Sequence, residues 1–278
     1  SGEFLWKYAT DGGIASSPCV HEGLVFFGSS DRVLYAVDAT SGHIRWTCPT
    51  DGEVWSSPEA AFHHVFFGSD DCHLYAVNIQ SGRLAWKFRA DGKVRSSPHL
   101  GEDAIYVGCE AGIVYAVDTG GSVRWRFRAR RPVTSSPAVT DEMVYVGSQD
   151  KCLYALDVRS GWLAWRYRTD GPIISSPATA KGMVFVGSAD SHLYALGAGS
   201  GRLIWRYGTD GQVTSSPAVL ADSVYVGSVD GGVYSLEAES GSLRWCFQTD
   251  GPVTSSPAAA DGMVYIGSCD RYIYALPA

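Results

Sequence analysis

Nowhere in this chain of 278 residues do eighteen apolar residues run together, so no segment is suited to cross a bilayer as a helix and membrane insertion is not expected. Basic residues are in deficit: 22 lysines and arginines face 29 aspartates and glutamates, for a formal net charge of −7. A protein that grips a phosphate backbone needs a basic footprint, so nucleic acid is not an expected partner. The seven cysteines, Cys19, Cys48, Cys72, Cys109, Cys152, Cys246 and Cys269, include no Cys-x-x-Cys and no adjacent pair. An odd count without such spacing spells neither a disulfide framework nor a zinc site, and free thiols in a reducing compartment are the expectation. Ser1-Gly2-Glu3-Phe4 does not read as a signal peptide. A cytoplasmic location is therefore expected, with a periplasmic or exported one the alternative if a signal preceded Ser1. Also missing is any long stretch with the 3.6-residue apolar spacing of a helix.

What is present is a repeat. The 32 glycines, the 12 prolines and the many β-branched and aromatic residues suit short strands joined by tight turns. Trp6, Trp46, Trp86, Trp125, Trp165, Trp205 and Trp245 stand 40, 40, 39, 40, 40 and 40 residues apart. Ser-Ser-Pro follows each of them once, at 16–18, 56–58, 96–98, 135–137, 175–177, 215–217 and 255–257. The fifth copy holds four strand-length runs, Pro172–Ala178, Met183–Gly187, Leu193–Leu196 and Arg202–Tyr207, separated by Gly- and Asp-containing turns. Four antiparallel strands at this period predict an all-β, seven-bladed β-propeller forming one domain over residues 1–278. The last copy ends at its third run, Tyr272–Leu276, while Phe4-Leu5-Trp6-Lys7-Tyr8 matches the fourth run Leu243–Phe247 in phase. Residues 4–9 are thus expected to complete the blade formed by 252–278 and close the ring.

The motif Ala-x-Asp-x-x-x-Gly-x-x-x-Trp occurs as Ala36, Asp38, Gly42 and Trp46, and again as Ala155, Asp157, Gly161 and Trp165. It resembles the tryptophan-docking motif of the pyrroloquinoline quinone (PQQ) propeller-repeat superfamily, and the resemblance covers essentially the whole chain. It implies that the seven tryptophans tie neighbouring blades together. Asn78, Gly197, Ser235 with Glu237, and the shortened Thr119-Gly120-Gly121 depart from the motif. The superfamily also contains PQQ-dependent dehydrogenases, but those resemble this chain in repeat only. They carry eight blades, long insertions, Ca²⁺-binding residues and an adjacent cysteine pair, so no cofactor is expected here and the chain is not expected to be an enzyme.

Repetition itself weighs on the chemistry. Fourteen Ser-Ser-Pro serines recur at one phase without a seven-fold base, which points to packing and hydrogen bonding rather than nucleophilic catalysis. Two sets of aspartates, Asp11, Asp51, Asp91, Asp170, Asp210, Asp250 in the linkers and Asp31, Asp71, Asp150, Asp190, Asp230, Asp270 in the central hairpins, read as turn residues bonding their own backbone before they read as a cation ring. The seven histidines are scattered, so no metal site is expected.

The symmetry breaks at one place. Ala111 replaces the hairpin aspartate of the third copy, Arg130-Arg131 replace the linker Asp-Gly before the fourth, and Trp55 and Arg95 occupy the position ahead of Ser-Ser-Pro. Trp55, Lys93, Arg95, Glu110, Arg130 and Arg131, with Glu53 beside them, are the candidate binding residues. They are expected to form a basic and aromatic sector at one mouth of the channel for an anionic ligand or an acidic peptide. The expected function is a non-catalytic, monomeric ligand- or protein-binding scaffold or sensor module. Such propellers look like the appended modules of some bacterial serine/threonine kinases and of an acyl-CoA synthetase-like protein. The alternative is an envelope assembly scaffold similar to the barrel-assembly lipoprotein BamB.

Overall fold

The computed structural model describes residues 3–278, which contain β-strands and no helix among the described residues. The strands form seven sheets, each an antiparallel meander in chain order. The chain divides into two compact units, residues 1–128 and 129–278. The first unit carries sheet one (strands from Cys19–His21 to Ile44–Pro49), sheet two (Glu59–Ala61 to Leu84–Arg89) and sheet three (His99–Leu100 to Val123–Arg128). The second carries sheet four (Ala138–Val139 to Leu163–Arg168), sheet five (Ala178–Ala180 to Leu203–Gly208), sheet six (Ala218–Leu220 to Leu243–Gln248) and sheet seven, whose three strands are Ala258–Ala260, Met263–Gly267 and Ile273–Pro277.

The two middle strands of each sheet are apolar on both faces, as strands covered on both sides must be. Phe66, Val77, Val107, Leu153, Val186 and Val226 are fully buried. The fourth strand is amphipathic and carries the tryptophan. In each four-stranded sheet the register slips by one residue just after the small residue paired with it, as between Ala155 and Leu156 opposite Trp165. That bulge leaves an extra residue on the fourth strand and re-aims its side chains. The indole then packs on the aromatic residue of its own second strand, as Trp46 does on Phe26 at 5.6 Å and Trp165 on Tyr145 at 5.8 Å.

The indole N–H meanwhile donates to the next sheet. Trp6 reaches the carbonyl of Ala39, Trp46 that of Ile79 and Trp86 that of Thr119, all at 2.7–2.9 Å. In the second unit Trp165 and Trp205 do the same to Ala198 and Ala238. The residue beneath each ring must be glycine for two reasons. Gly82 has φ +67, and a Cβ built on it would lie 2.7 Å from the Trp46 ring.

Residues 4–9 are the segment expected to complete the blade formed by 252–278. Residues 4–9 form no strand and sheet seven has three. Matching a segment in phase identifies residues suited to a fourth strand but not the edge they hydrogen-bond. Toward sheet one, residues 4–9 nevertheless contribute what other fourth strands contribute: Trp6 docks on Ala39, and the Tyr8 ring packs against Tyr35 at 5.6 Å and Phe27 at 6.3 Å.

Candidate functional site

The repeated polar residues are consumed by the fold. The first serine of Ser-Ser-Pro accepts the N–H of the glycine ending the second strand, as Ser56 does from Gly68 at 3.0 Å and Ser175 from Gly187 at 3.1 Å. The second serine links neighbouring sheets: Ser17 N–H donates to Ser57 Oγ and Ser57 N–H to Ser97 Oγ, and in the second unit Ser136, Ser176 and Ser216 donate to Ser176, Ser216 and Ser256. Hydroxyls so engaged satisfy buried backbone.

The hairpin aspartates are equally committed. Asp190 accepts the linker N–H of Asp170 at 2.8 Å, the Tyr194 hydroxyl at 2.9 Å and the turn N–H of His192 at 3.2 Å. Asp31, Asp71, Asp150, Asp230 and Asp270 repeat the arrangement. Burial pushes the hydroxyls of Tyr35, Tyr75, Tyr154, Tyr194 and Tyr234 up, and the hydrogen bond to the aspartate adds to it. Where Ala111 removes the aspartate, the Tyr115 oxygen itself accepts the Asp91 N–H at 3.1 Å. Turn chemistry accounts for the hairpin set, to which the linker residues contribute their backbone N–H groups. Among the described residues no group of three His, Cys, Asp or Glu is placed to hold a metal ion, and no two cysteines are adjacent. The donor set therefore does not fit a quinone-and-calcium centre.

Four of the six candidate binding residues come together in the first unit, around an acid the sequence reading passed over. Asp70 is only 6% exposed and takes a fork from Arg95, Nε to Oδ1 at 2.9 Å and Nη2 to Oδ2 at 2.7 Å, together with Lys93 Nζ at 2.9 Å. Burial would raise its carboxyl, but the hydrogen bonds from Arg95 and Lys93 prevail and hold it below the usual range. Arg95 also meets Glu110 at 3.2 Å and lies 5.9 Å from the Trp55 ring centroid, while Trp55 Nε1 donates to Glu53 at 2.8 Å. With Glu53, Asp70 and Glu110 against Lys93 and Arg95, this cluster carries no net positive charge. It is a braced, partly exposed aromatic and charged surface.

Arg130 and Arg131 lie in the second unit, and their surroundings are basic. Arg130, Arg166 and Arg168 line a depression of about 190 Å³ with Asp150, Cys152 and Tyr154. A shallower one adjoins it, sharing Arg130, Asp150 and Arg168 and adding Arg131, Gln149, Lys151 and Pro172. Arg166, directly after the repeat tryptophan, reads in the sequence as solvated edge protection; the structure places it and Arg168 beside the linker that lacks its aspartate.

Two further features escaped the sequence reading. Trp162, in the turn before the fourth strand of sheet four, is 80% exposed, and Trp55 is 39% exposed. In the first unit Cys19, Glu59 and His99 occupy the same position after Ser-Ser-Pro in successive sheets. Burial lifts Glu59 to about 7, although a backbone N–H of Leu100 works against it. Burial likewise raises the Cys19 thiol, with Glu59 adding to the effect, and lowers His99.

A family model described as outer membrane protein assembly factor BamB matches residues 1–126, 110–216 and 189–278. The crystal structure of BamB from Moraxella catarrhalis superimposes with a TM-score of 0.85 at 19% identity, covering 97% of this chain and 87% of that one. The computationally designed Ika8 protein superimposes with a TM-score of 0.70 at 15% identity, covering 97% of each chain. No curated protein matches in sequence. At these identities the structural likeness shows the fold, and with seven sheets in hand that fold is a seven-bladed β-propeller of PQQ-like repeats.

Proposed function

We propose that the chain is a non-catalytic protein-binding scaffold, from the premise that it belongs to the family of the outer membrane protein assembly factor BamB. The observation that carries the proposal is the division of labour among the tryptophans. Trp6, Trp46, Trp86, Trp165 and Trp205 are buried or half-buried and dock on the next sheet, whereas Trp55 and Trp162, outside the repeat position, are exposed to solvent. Exposed tryptophan next to arginine is the composition of binding hot spots, and the Asp70 network holds Arg95 in place before any partner arrives, which lowers the ordering cost of association.

The partner is a protein or peptide segment, in a cytoplasmic setting suited to seven free cysteines. The chain then works as the recognition module of a larger protein such as a serine/threonine kinase. The family favours a second reading, an envelope assembly scaffold, which places the same surface in the periplasm; fractionation of cells expressing the full-length gene separates the two. The binding test is a selection of displayed peptides on the immobilised chain. Enriched peptides are expected to lose affinity at least about 30-fold against Trp55→Ala or Trp162→Ala, the scale of a hot-spot truncation. No enrichment, or enriched peptides indifferent to both variants, overturns the proposal.

A further inference from the structure

We propose that the depression lined by Arg130, Arg166 and Arg168 is a binding site for a phosphomonoester. The site follows from strand geometry. Alternation along Leu163–Arg168 puts Arg166 and Arg168 on one face of sheet four and turns Tyr167 to the other, where it meets Tyr194 at 5.7 Å. The register sets Arg166 opposite Tyr154 and Arg168 opposite Cys152, so both guanidiniums flank the hairpin held by Asp150. Arg130 comes from the linker, fixed by its own N–H on Asp150 Oδ2 at 2.9 Å.

The one acid in the wall is already spent. Asp150 Oδ2 takes the Arg130 N–H and, at 2.7 Å, the Tyr154 hydroxyl, while Oδ1 takes the Cys152 N–H at 3.1 Å. Among the described residues no carboxylate lies within ion-pair distance of Arg130, Arg131, Arg166 or Arg168; the same holds for Arg89, Arg126 and Arg206 at equivalent strand positions, but not for Arg128.

The other sheets show what makes this one different. Sheet three carries arginine at the same two strand positions, Arg126 and Arg128, but its linker supplies Asp91, whose carboxylate is 4.0 Å from Arg128. Sheet two has Lys87 and Arg89 with linker Asp51, and sheet five has Arg206 with linker Asp170. Only in sheet four is the linker acid replaced by a base.

Three guanidiniums against one carboxylate leave a charge of +2 on the wall, which matches the charge of about −1.5 to −2 on a phosphomonoester at pH 7. Guanidinium forks suit a group with three terminal oxygens; a carboxylate satisfies one fork and leaves two cations facing each other. The volume of about 190 Å³ equals roughly six waters at about 30 Å³ each. That is room for a phosphoryl group and the first atoms of its ester. The inference is independent of the exposed tryptophans, so a chain that selects no peptide would still bind phosphate.

The test is calorimetric titration at low salt with inorganic phosphate, with the pentapeptide Gly-Ala-phosphoserine-Ala-Gly, with its glutamate counterpart and with sulfate. Wild type is expected to bind both phosphorylated probes, with the glutamate peptide at least about tenfold weaker and sulfate, a tetrahedral dianion, competing for the same guanidiniums. Arg130→Ala and Arg166→Ala/Arg168→Ala should each weaken phosphate at least about tenfold, and Lys87→Ala/Arg89→Ala, at the same strand positions in sheet two, should leave it unchanged. Circular dichroism verifies that each variant is folded. A phosphopeptide preferred over inorganic phosphate identifies a modified protein segment as the source of the group; equal affinity identifies a small phosphate ester. No binding by wild type at millimolar phosphate, the glutamate peptide binding as tightly, or affinity unchanged in folded arginine variants overturns the proposal.

Discussion

At the scale of single residues, position in the repeat decides what a polar group does. Asp190 and its counterparts were legible as turn residues, since a short carboxylate two residues before a backbone N–H bonds it locally wherever the hairpin is placed. Glu59 was not legible, because its character comes from burial against an adjacent sheet that local sequence does not reveal. Its carboxyl is lifted from an ordinary value of 4.5 to about 7, so the folded chain holds this proton more tightly than the unfolded one. The resulting stabilisation is complete below about pH 4.5 and is lost as pH rises through about 7. Glu59→Gln should therefore be more stable than wild type at pH 8, and the advantage should shrink steadily toward pH 5 in urea denaturation. His99, lowered by burial, acts in the opposite sense, losing stability as pH falls below its ordinary 6.5, and cancels when the two proteins are compared at each pH. An advantage that does not change with pH would show that Glu59 titrates normally.

At the scale of the strand and its turn, the tryptophan ruler was read correctly because ring, glycine and carbonyl form one mechanical unit. The indole covers the glycine, and its N–H reaches the carbonyl three residues earlier, as Trp46 does with Gly82 and Ile79. Gly82→Ala places a methyl 2.7 Å from the ring in a left-handed backbone conformation. It should cost about 2 kcal/mol or more. Gly199→Ala, with open space and no positive φ, should stay within about 0.5 kcal/mol of wild type. Equal melting temperatures for the two variants would contradict the docking role. Strand edges were less legible than strand content: Phe4–Tyr8 has the composition of a fourth strand, yet which edge it pairs with depends on contacts between distant parts of the chain.

At the scale of the whole molecule, the sequence located the broken symmetry but grouped its residues by proximity in a generic ring. Lys93 and Arg95 looked like free positive charge because Asp70, 23 and 25 residues earlier in the hairpin of sheet two, carries no mark of its role. Arg166 and Arg168 looked ordinary because each has a counterpart elsewhere; what is unusual is the linker they face. The most direct measurement replaces the exceptions with the repeat: a variant carrying Trp55→Thr, Arg130→Asp, Arg131→Gly and Trp162→Ser, taken through calorimetric unfolding and titration with inorganic phosphate and the selected peptides. Wild type and variant should each unfold in a single transition at similar temperature, with both binding activities lost from the variant. Two separate transitions in wild type would contradict the single domain, and a variant that still bound phosphate and peptide would place recognition in the repeated positions and contradict the assignment of function to the exceptions.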